Sequence, residues 1–429
     1  MKHTDIIQKL NLEQKCALLS GETVFTTRAL PGKGIPAITL SDGPNGVRKQ
    51  AGAADHLGLN PSVPATCFPT SSATACSWDE KLGEAVGEAL GEEAAAQEVA
   101  VLLGPGLNIQ RSPLCGRDFE YFSEDPILAG RMAAAYVRGI QKNGISACPK
   151  HFAVNSQELR RMASDSVLDE RTLRELYLTG FEIVVKEAKP KTIMTSYNLI
   201  NGTYANENAH LLQDILRKDW GFDGAVVTDW GGSNDHALGV KNGSTLEMPC
   251  PGGDSIRELM KAVQDGKISE ADVDARLDEM LELVLSTHAA VEKAPRTFDA
   301  AAHHKLARRA AAESIVLLRN EGGILPLKPN EKLAVIGDFA ETPRYQGAGS
   351  SAVNALQVDT LLDCIKADDS GITFVGYASG FERQGAADAE KLEEAVALAK
   401  KADTVLLCLG LDELRESEGL DRADMKLAE

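Results

Sequence analysis

The sequence predicts an α/β protein in which a (β/α)8 barrel of the TIM type is followed by part of an α/β sandwich. Three observations lead to this prediction. Short apolar runs alternate with helical stretches through residues 1–295, which favours parallel strands joined by helices. Polar residues follow directly after several of these runs, at the strand ends where barrels build their active sites. A second series of strands and helices then occupies residues 331–429.

The composition narrows the class of protein before any motif is considered. The 429 residues exceed one ordinary domain, and 43% of them are hydrophobic, which suffices for a buried core. The net charge of −18 argues against nucleic acid as a partner, because phosphate binding needs a basic surface. No apolar run approaches the roughly 20 residues of a membrane span, and the N-terminal residues lack the apolar stretch of a secretory signal. We therefore expect a cytoplasmic protein that binds neither membranes nor nucleic acid.

Five apolar runs are the best candidates for barrel strands, and two weaker runs add to them. The five lie at residues 37–40, 101–103, 145–148, 192–195 and 225–228, and the weaker ones at 67–68 and 245–248. The clearest helix spans about 171–188, where Leu173, Leu176 and Tyr177 follow helical spacing. No glycine-rich fingerprint follows the first run, so a dinucleotide site is unsupported.

Residues 296–330 are predicted to form a helical linker between the two units. A helix is expected at 300–318, and glycines and a proline at 322–326 end it. The second unit has predicted strands at 332–337, 372–375 and 404–408 and a helix at 390–401. Three strands make a thin core. We therefore expect residues 331–429 to be the N-terminal part of a sandwich domain, whose remainder has been removed or comes from a second polypeptide.

Asp229 is the first candidate catalytic residue. It ends an apolar run and precedes Trp230 and two glycines. A carboxylate at a strand end can point into the barrel mouth, where a sugar-cleaving enzyme needs an ionised nucleophile below the anomeric carbon. The local pattern alone favours an Asp that caps the next helix over a catalytic residue.

Basic residues follow another candidate strand. Lys150 and His151 come just after the run at 145–148, and Arg161 lies further along the same segment. These side chains can donate hydrogen bonds to sugar hydroxyls. A Schiff-base lysine, as in barrel aldolases, and a surface basic pair are the alternatives.

Three more polar segments are ambiguous when each is taken alone. Arg117 lies among acidic and aromatic residues at 116–126, which suits either a sugar clamp or a self-contained network of ion pairs. Asp42 lies in a segment with turn character. Residues 413–422, which include Glu418, have the composition of a solvated acidic loop.

No metal or organic cofactor is expected. None of the eight cysteines forms a CxxC pair, which argues against zinc ribbons and thioredoxin-type redox sites. No cluster of histidines and acidic residues has clear metal-ligand spacing.

Together these segments resemble glycoside hydrolase family three, in its β-glucosidase branch. The shared order of short motifs makes the resemblance specific, and it covers nearly the whole chain. The matching segments are 41–48, 68–70, 104–109, 116–120, 150–152, 197–198, 228–230 and 417–422.

The resemblance implies a retaining β-glucosidase that hydrolyses terminal non-reducing β-D-glucosyl residues, with its site between the two domains. Asp229 falls on the nucleophile and Glu418 on the acid/base residue. The implied contacts to the sugar are Asp42, Arg117, Lys150, His151, Arg161, Met194, Tyr197, Trp230 and, through a looser alignment, Ser350. Basic neighbours are expected to keep Asp229 ionised, whereas Glu418 must stay protonated for the first step.

A β-glucoside or a short β-gluco-oligosaccharide is the expected partner. A related β-xylosidase and a truncated, non-catalytic sugar-binding fragment are the alternatives, the second because a mobile Glu418 would leave binding without catalysis.

Overall fold

The computed structural model describes residues 1–52, 60–249, 252–384 and 386–427. The strands, numbered in chain order, are β1 Leu40–Asp42, β2 Val101–Leu103, β3 Ser146–Ala147, β4 Asp165–Ser166, β5 Thr192–Met194, β6 Leu199–Ile200, β7 Thr203–Tyr204, β8 Ala225–Val227, β9 Lys332–Ile336, β10 Thr373–Ala378 and β11 Thr404–Leu407. The α-helices are α1 Thr4–Ile7, α2 Leu12–Ala17, α3 Ser71–Ala75, α4 Glu80–Ala96, α5 Pro126–Gln141, α6 Glu170–Thr172, α7 Thr179–Ile183, α8 His236–Asn242, α9 Asp254–Gln264, α10 Glu270–Lys293, α11 Ala300–Glu313, α12 Leu361–Lys366 and α13 Ala389–Ala399. Wider π-helical turns occupy Leu173–Tyr177, Val184–Ala188 and His210–Asp219.

Parallel strands form a ring in the first part of the chain. β1 pairs with β2, β2 with β3, and β5 with β8. Isolated bridges complete the ring, and they join Phe152 to Thr195, Val227 to Leu246, Ser20 to Glu247 and Thr26 to Thr39. The predicted TIM-like barrel is therefore confirmed, with an irregular closure in which an N-terminal antiparallel segment replaces a regular strand.

This closure explains why some predicted strands are wrong. The run at 37–40 belongs to the barrel only from Leu40 onward, because Ile38 accepts a hydrogen bond from the Thr27 amide of the N-terminal segment. Residues 67–68 form no strand, and the Phe68 amide donates to the Asn45 carbonyl instead. The run at 245–248 contributes only isolated bridges.

The predicted helix at 171–188 is confirmed, although it is not a uniform α-helix. Asp169 precedes it, and its carboxylate accepts a hydrogen bond from the Thr172 amide at 2.9 Å. α6 and α7 alternate with the two π-helical turns that end at Tyr177 and Ala188. β4, β6 and β7 form a separate small sheet, and β4 begins four residues after Arg161.

The second unit is a parallel sheet with β9 between β10 and β11. Its buried clusters are small, one around Val335 and one around Ile336. α11 packs instead on the barrel core, through Ala307 and Ala310. The helix predicted at 300–318 stops at Glu313, and the Ser314 hydroxyl caps it by donating to the Ala310 carbonyl at 2.6 Å.

None of the helices in the described ranges has both the length and the apolar composition needed to cross a bilayer. Nor does this part of the chain contain a group of three or more His, Cys, Asp or Glu side chains arranged to hold a metal ion.

Candidate active site

The C-terminal ends of the barrel strands bring the predicted site residues together. Asp42 ends β1 and Met194 ends β5, while Lys150 and Asp229 follow β3 and β8. Because parallel strands end at the same rim of a barrel, these residues share one face although they are far apart in the chain.

Asp229 follows β8 at this face and is 9% exposed. Its Oδ1 accepts the Trp230 amide at 2.7 Å, and its Oδ2 lies 3.6 Å from Nε2 of His151. Burial raises the pKa of Asp229, and the cations Arg161, Arg117 and Lys150 lower it by less. The basic neighbours act in the predicted direction, but the net shift is opposite, because desolvation of the carboxylate outweighs them.

His151 is oriented by two buried side chains. Its Nδ1 lies 3.1 Å from the Tyr121 hydroxyl, which also accepts a hydrogen bond from Asn155 Nδ2 at 3.0 Å. The hydroxyl can donate its own proton to Nδ1 while it accepts from Asn155, and Nε2 faces the Asp229 carboxylate, so these contacts favour a ring hydrogen on Nε2. Burial and nearby cations lower the pKa of His151, so the ring stays neutral.

Glu120 is a residue that the sequence analysis did not single out. It is fully buried, 3.1 Å from Lys150 Nζ and 2.7 Å from Arg117 Nη2. Burial opposes the charge of Lys150, but the carboxylate of Glu120 raises the pKa of that lysine. A protonated amine cannot form a Schiff base, which argues against the aldolase alternative. The position of Glu120 three residues after Arg117 was the available signal.

Arg117 retains hydrogen-bonding capacity towards the barrel mouth. Its Nη1 is buried and makes no hydrogen bond within the described ranges, and it lies 3.6 Å from Oε1 of Glu418. A buried donor of this kind is suited to a sugar hydroxyl.

Glu418 reaches the barrel from the second unit. Its Oε1 accepts from Arg161 Nη1 at 2.9 Å, and its Oε2 accepts the Ser350 amide at 2.7 Å. Burial acts to raise the pKa of Glu418, but Arg117, Arg161 and Ser350 together hold that pKa well below its usual range. The solvated-loop interpretation is wrong here, since the side chain is only 15% exposed. The expected protonation is also wrong for this structure, because the ion pairs favour the carboxylate.

Aromatic residues form one wall of the site. The Arg161 guanidinium lies over the Tyr197 ring, 4.8 Å from its centroid, and the Tyr197 hydroxyl donates to the Trp230 carbonyl at 2.9 Å. The Trp230 indole donates to the Val24 carbonyl at 2.7 Å. Met194 is buried at the end of its strand.

Ser350 and Asp42 complete the predicted set. The Ser350 carbonyl accepts from Arg48 Nη1 at 3.1 Å, so its backbone connects Arg48 with Glu418. Arg48 was also missed, although it ends the motif that contains Asp42. Burial raises the pKa of Asp42 to about 7, against the opposing effect of Lys150. All eleven predicted site residues thus lie at or around this one face, whereas a cavity of 860 Å³ beside Phe68 and Tyr345 contains none of them.

Comparison with known proteins agrees with this architecture. Residues 53–283 match the family model described as the glycosyl hydrolase family 3 N terminal domain, and residues 315–429 match the corresponding C-terminal domain. The chain therefore belongs to glycosyl hydrolase family 3.

Several individual proteins of the family are similar to this chain over nearly its whole length. The chain is 45% identical to thermostable beta-glucosidase B of Acetivibrio thermocellus, over 99% of this chain and 56% of that protein. It is also 45% identical to an exo-alpha-(1->6)-L-arabinopyranosidase of Bifidobacterium longum, over 97% of this chain and 56% of that protein. The crystal structure of a GH3 beta-glucosidase from Bifidobacterium adolescentis matches with a TM-score of 0.91 and 42% identity, over 98% of this chain and 60% of that chain. The chain thus spans little more than half the length of these relatives.

Proposed function

We propose that this chain carries the active site of a retaining β-glucosidase that removes terminal non-reducing β-D-glucosyl residues. One observation carries the proposal. Glu418 of the second unit is paired with Arg161 and Arg117 of the barrel, in the same cluster of charges as Asp229. Two carboxyl groups flanking one sugar-binding face are what retaining hydrolysis needs. The β-glucosidase relatives support the choice of glucose.

In the first step, an Asp229 oxygen forms a bond to the anomeric carbon while the bond from that carbon to the leaving oxygen breaks. Glu418 gives its proton to the leaving oxygen. In the second step Glu418 takes a proton from water, the water oxygen bonds to the anomeric carbon, and the ester to Asp229 breaks. Two inversions retain the configuration.

The basic side chains and the neutral His151 ring have two roles in this proposal. Lys150, His151 and Arg117 donate hydrogen bonds to sugar hydroxyls, and binding energy spent there lowers the barrier at the reacting carbon. Hydroxyls that engage Arg117 and Arg161 also weaken the hold of these arginines on Glu418. The pKa of Glu418 then rises from its low value, which allows the residue to carry the proton that the first step consumes.

The configuration of the first product tests the reaction type. Hydrolysis of an aryl β-D-glucoside, followed by proton NMR, is expected to release β-glucose before mutarotation sets in. α-Glucose as the first product, or no hydrolysis of any glycoside, would overturn the proposal.

The identity of the glycone is tested with a matched panel of aryl glycosides. The arabinopyranosidase relative makes this necessary, since it is as similar as the β-glucosidase. We expect kcat/KM to be highest for the β-D-glucoside, and lower for the β-D-xyloside and the α-L-arabinopyranoside, which lack the hydroxymethyl group. A preference for either of these would replace glucose in the proposal.

We also propose a cytoplasmic location. The support is that Cys16, Cys67, Cys115 and Cys148 lie within the described ranges as free thiols, as do the other cysteines there. Fractionation of the cells that produce the protein tests this, and recovery from the secreted fraction would contradict it.

A further proposal concerns a second polypeptide that completes the sandwich. Val405 and Leu407 are exposed on the second unit, and Ile315 and Leu317 are exposed in the linker that precedes it. Apolar surfaces of this kind commonly mark interfaces. Light scattering of the purified active protein is expected to give a mass above that of the 429-residue chain, with a second species in the complex. Full activity in a monomer of this chain would contradict it.

A further inference from the structure

The loop that carries Glu418 is fastened to the barrel by an acidic side chain that takes no part in the proposed chemistry. Asp421 accepts three backbone amides from two barrel loops. Its Oδ1 accepts from Gly116 at 3.1 Å and from Glu158 at 2.9 Å, and its Oδ2 accepts from Leu159 at 2.9 Å. Hydrogen bonds to a charged acceptor are among the stronger ones in proteins.

A second contact runs in the opposite direction between the same segments. The buried carboxylate of Glu158 accepts the Gly419 amide at 2.8 Å and Arg161 Nη1 at 2.7 Å. Arg161 in turn contacts Glu418. Two residues that follow Glu418 along its loop, Gly419 and Asp421, are therefore bound to the barrel segment that also supplies its arginine.

The backbones in this region approach very closely. A Cβ atom at Gly116 would overlap the carbonyl oxygens of Leu420 and Ser417, and both belong to the Glu418 loop. On the other side, Gly349 has a φ of +115°, and a Cβ there would collide with the Glu418 side chain. Glu418 is thus enclosed between the barrel and the segment 347–350.

We propose that Asp421 is a positioning residue, which docks the Glu418 loop on the barrel and so sets the acid/base residue against Asp229. This inference rests on the proposed function and specifies how two domains assemble one site. Asp421 touches neither the substrate nor the reacting atoms. Replacement of Asp421 should therefore slow hydrolysis most for the substrates that depend most on proton transfer from Glu418.

The leaving group of the substrate provides the readout. Phenyl β-glucoside needs its leaving oxygen protonated, whereas the 2,4-dinitrophenyl β-glucoside leaves without a general acid. Asp421→Asn is expected to lower kcat/KM about 100-fold for the first and no more than about 3-fold for the second, given the usual size of general acid catalysis. For the dinitrophenyl substrate kcat should fall as well, because Glu418 also activates water, and azide should restore it.

Two further variants control the experiment. Asp424→Asn makes the same chemical change three residues away, at an exposed carboxylate, and should behave as the wild type. Gly116→Ala disturbs the same docking from the barrel side and should show the leaving-group dependence expected of Asp421→Asn. It therefore keeps the test decisive if Asp421→Asn folds poorly.

Three results would overturn the inference. Asp421→Asn and Gly116→Ala could lower kcat/KM equally for both substrates, which would indicate a general folding role, or they could leave both values unchanged. Thirdly, Asp424→Asn could show the same dependence. Failure of the proposed function is a separate result, because the wild type would then hydrolyse neither substrate, or Asp229→Ala would keep its activity.

Discussion

Asp229 and Glu418 occupy one site, but the chain holds them in different ways. Asp229 follows a fully buried strand, and the Trp230 amide next to it binds its carboxylate. Glu418 lies on a loop of the other unit, and its contact with Arg161 joins residues 257 positions apart. The proposed nucleophile is thus placed by local structure, and the proposed acid/base residue is placed by docking of two domains. This difference predicts that changes at the two residues have different kinetic signatures.

The largest effect is expected at Asp229. Asp229→Ala removes the proposed nucleophile and should lower kcat for aryl β-glucosides by more than about 10⁴-fold whatever the leaving group, in line with the loss of other nucleophiles. Asp223→Asn, at an exposed carboxylate just before β8, should keep full activity. Activity of Asp229→Ala near that of the wild type would contradict the role proposed for Asp229.

Glu418→Ala should have a smaller and substrate-dependent effect. We expect a loss of about 10² to 10⁴-fold for substrates with poor leaving groups, the usual contribution of general acid–base catalysis. Azide should restore turnover of activated substrates and yield a glucosyl azide. Glu413→Ala, on the same loop, should need no rescue. An equal loss for all leaving groups would assign Glu418 a different role.

Replacement of Asp42 tests how much its buried negative charge contributes to catalysis and how much it destabilises the folded protein. Asp42→Asn should lower kcat/KM for glucosides about 10- to 100-fold, as expected for loss of a charged acceptor of sugar hydroxyls. The same change should raise the melting temperature by a few degrees at pH 8, because the folded protein then no longer buries a charge. Activity assays and thermal unfolding measure the two effects.

The sign of the pH dependence follows from the pKa of Asp42. Folding raises this pKa from 3.8 to about 7, so the folded protein binds the proton more tightly than the unfolded chain. The destabilisation by the ionised group is complete above pH 7 and disappears as the pH falls towards 4. The melting temperatures of Asp42→Asn and the wild type should therefore converge at low pH. A constant difference across this range would contradict the assignment.

The smallest loss of kcat/KM is expected from Tyr121→Phe, a change at the residue that hydrogen-bonds His151. Tyr121→Phe removes the hydroxyl that orients the ring and should lower kcat/KM about 10-fold, the value of one buried hydrogen bond. Tyr136→Phe makes the same change in a buried tyrosine outside the site and serves as the control. An unchanged kcat/KM for Tyr121→Phe would show that the orientation of His151 does not depend on this contact.

Local pattern predicted one half of this site better than the other. The apolar run before Asp229 and the basic pair after β3 are visible in the sequence, because a strand and its end are local features. Glu418 alone has the pattern of a solvated loop, and only the resemblance to the family brought it into the site. Arg48 and Asp421 were missed, because their partners come from distant segments. Glu120 and Glu158 were missed although an arginine lies three residues from each, because the local pattern does not show that Lys150 and Gly419 approach them in the fold. The run at 37–40 misled for the same reason, since its pairing with Thr27 depends on how the barrel closes.

Covalent trapping tests the central claim most directly, namely that Asp229 and Glu418 act as nucleophile and acid/base in one site. The protein is treated with 2-deoxy-2-fluoro-β-D-glucosyl fluoride, whose leaving group needs no acid, and the labelled peptide is identified by mass spectrometry. We predict one label per chain, on Asp229, formed in the wild type and in Glu418→Gln alike. A label on Asp42, Glu120 or Glu418, or no label while the protein still hydrolyses glucosides, would contradict the account.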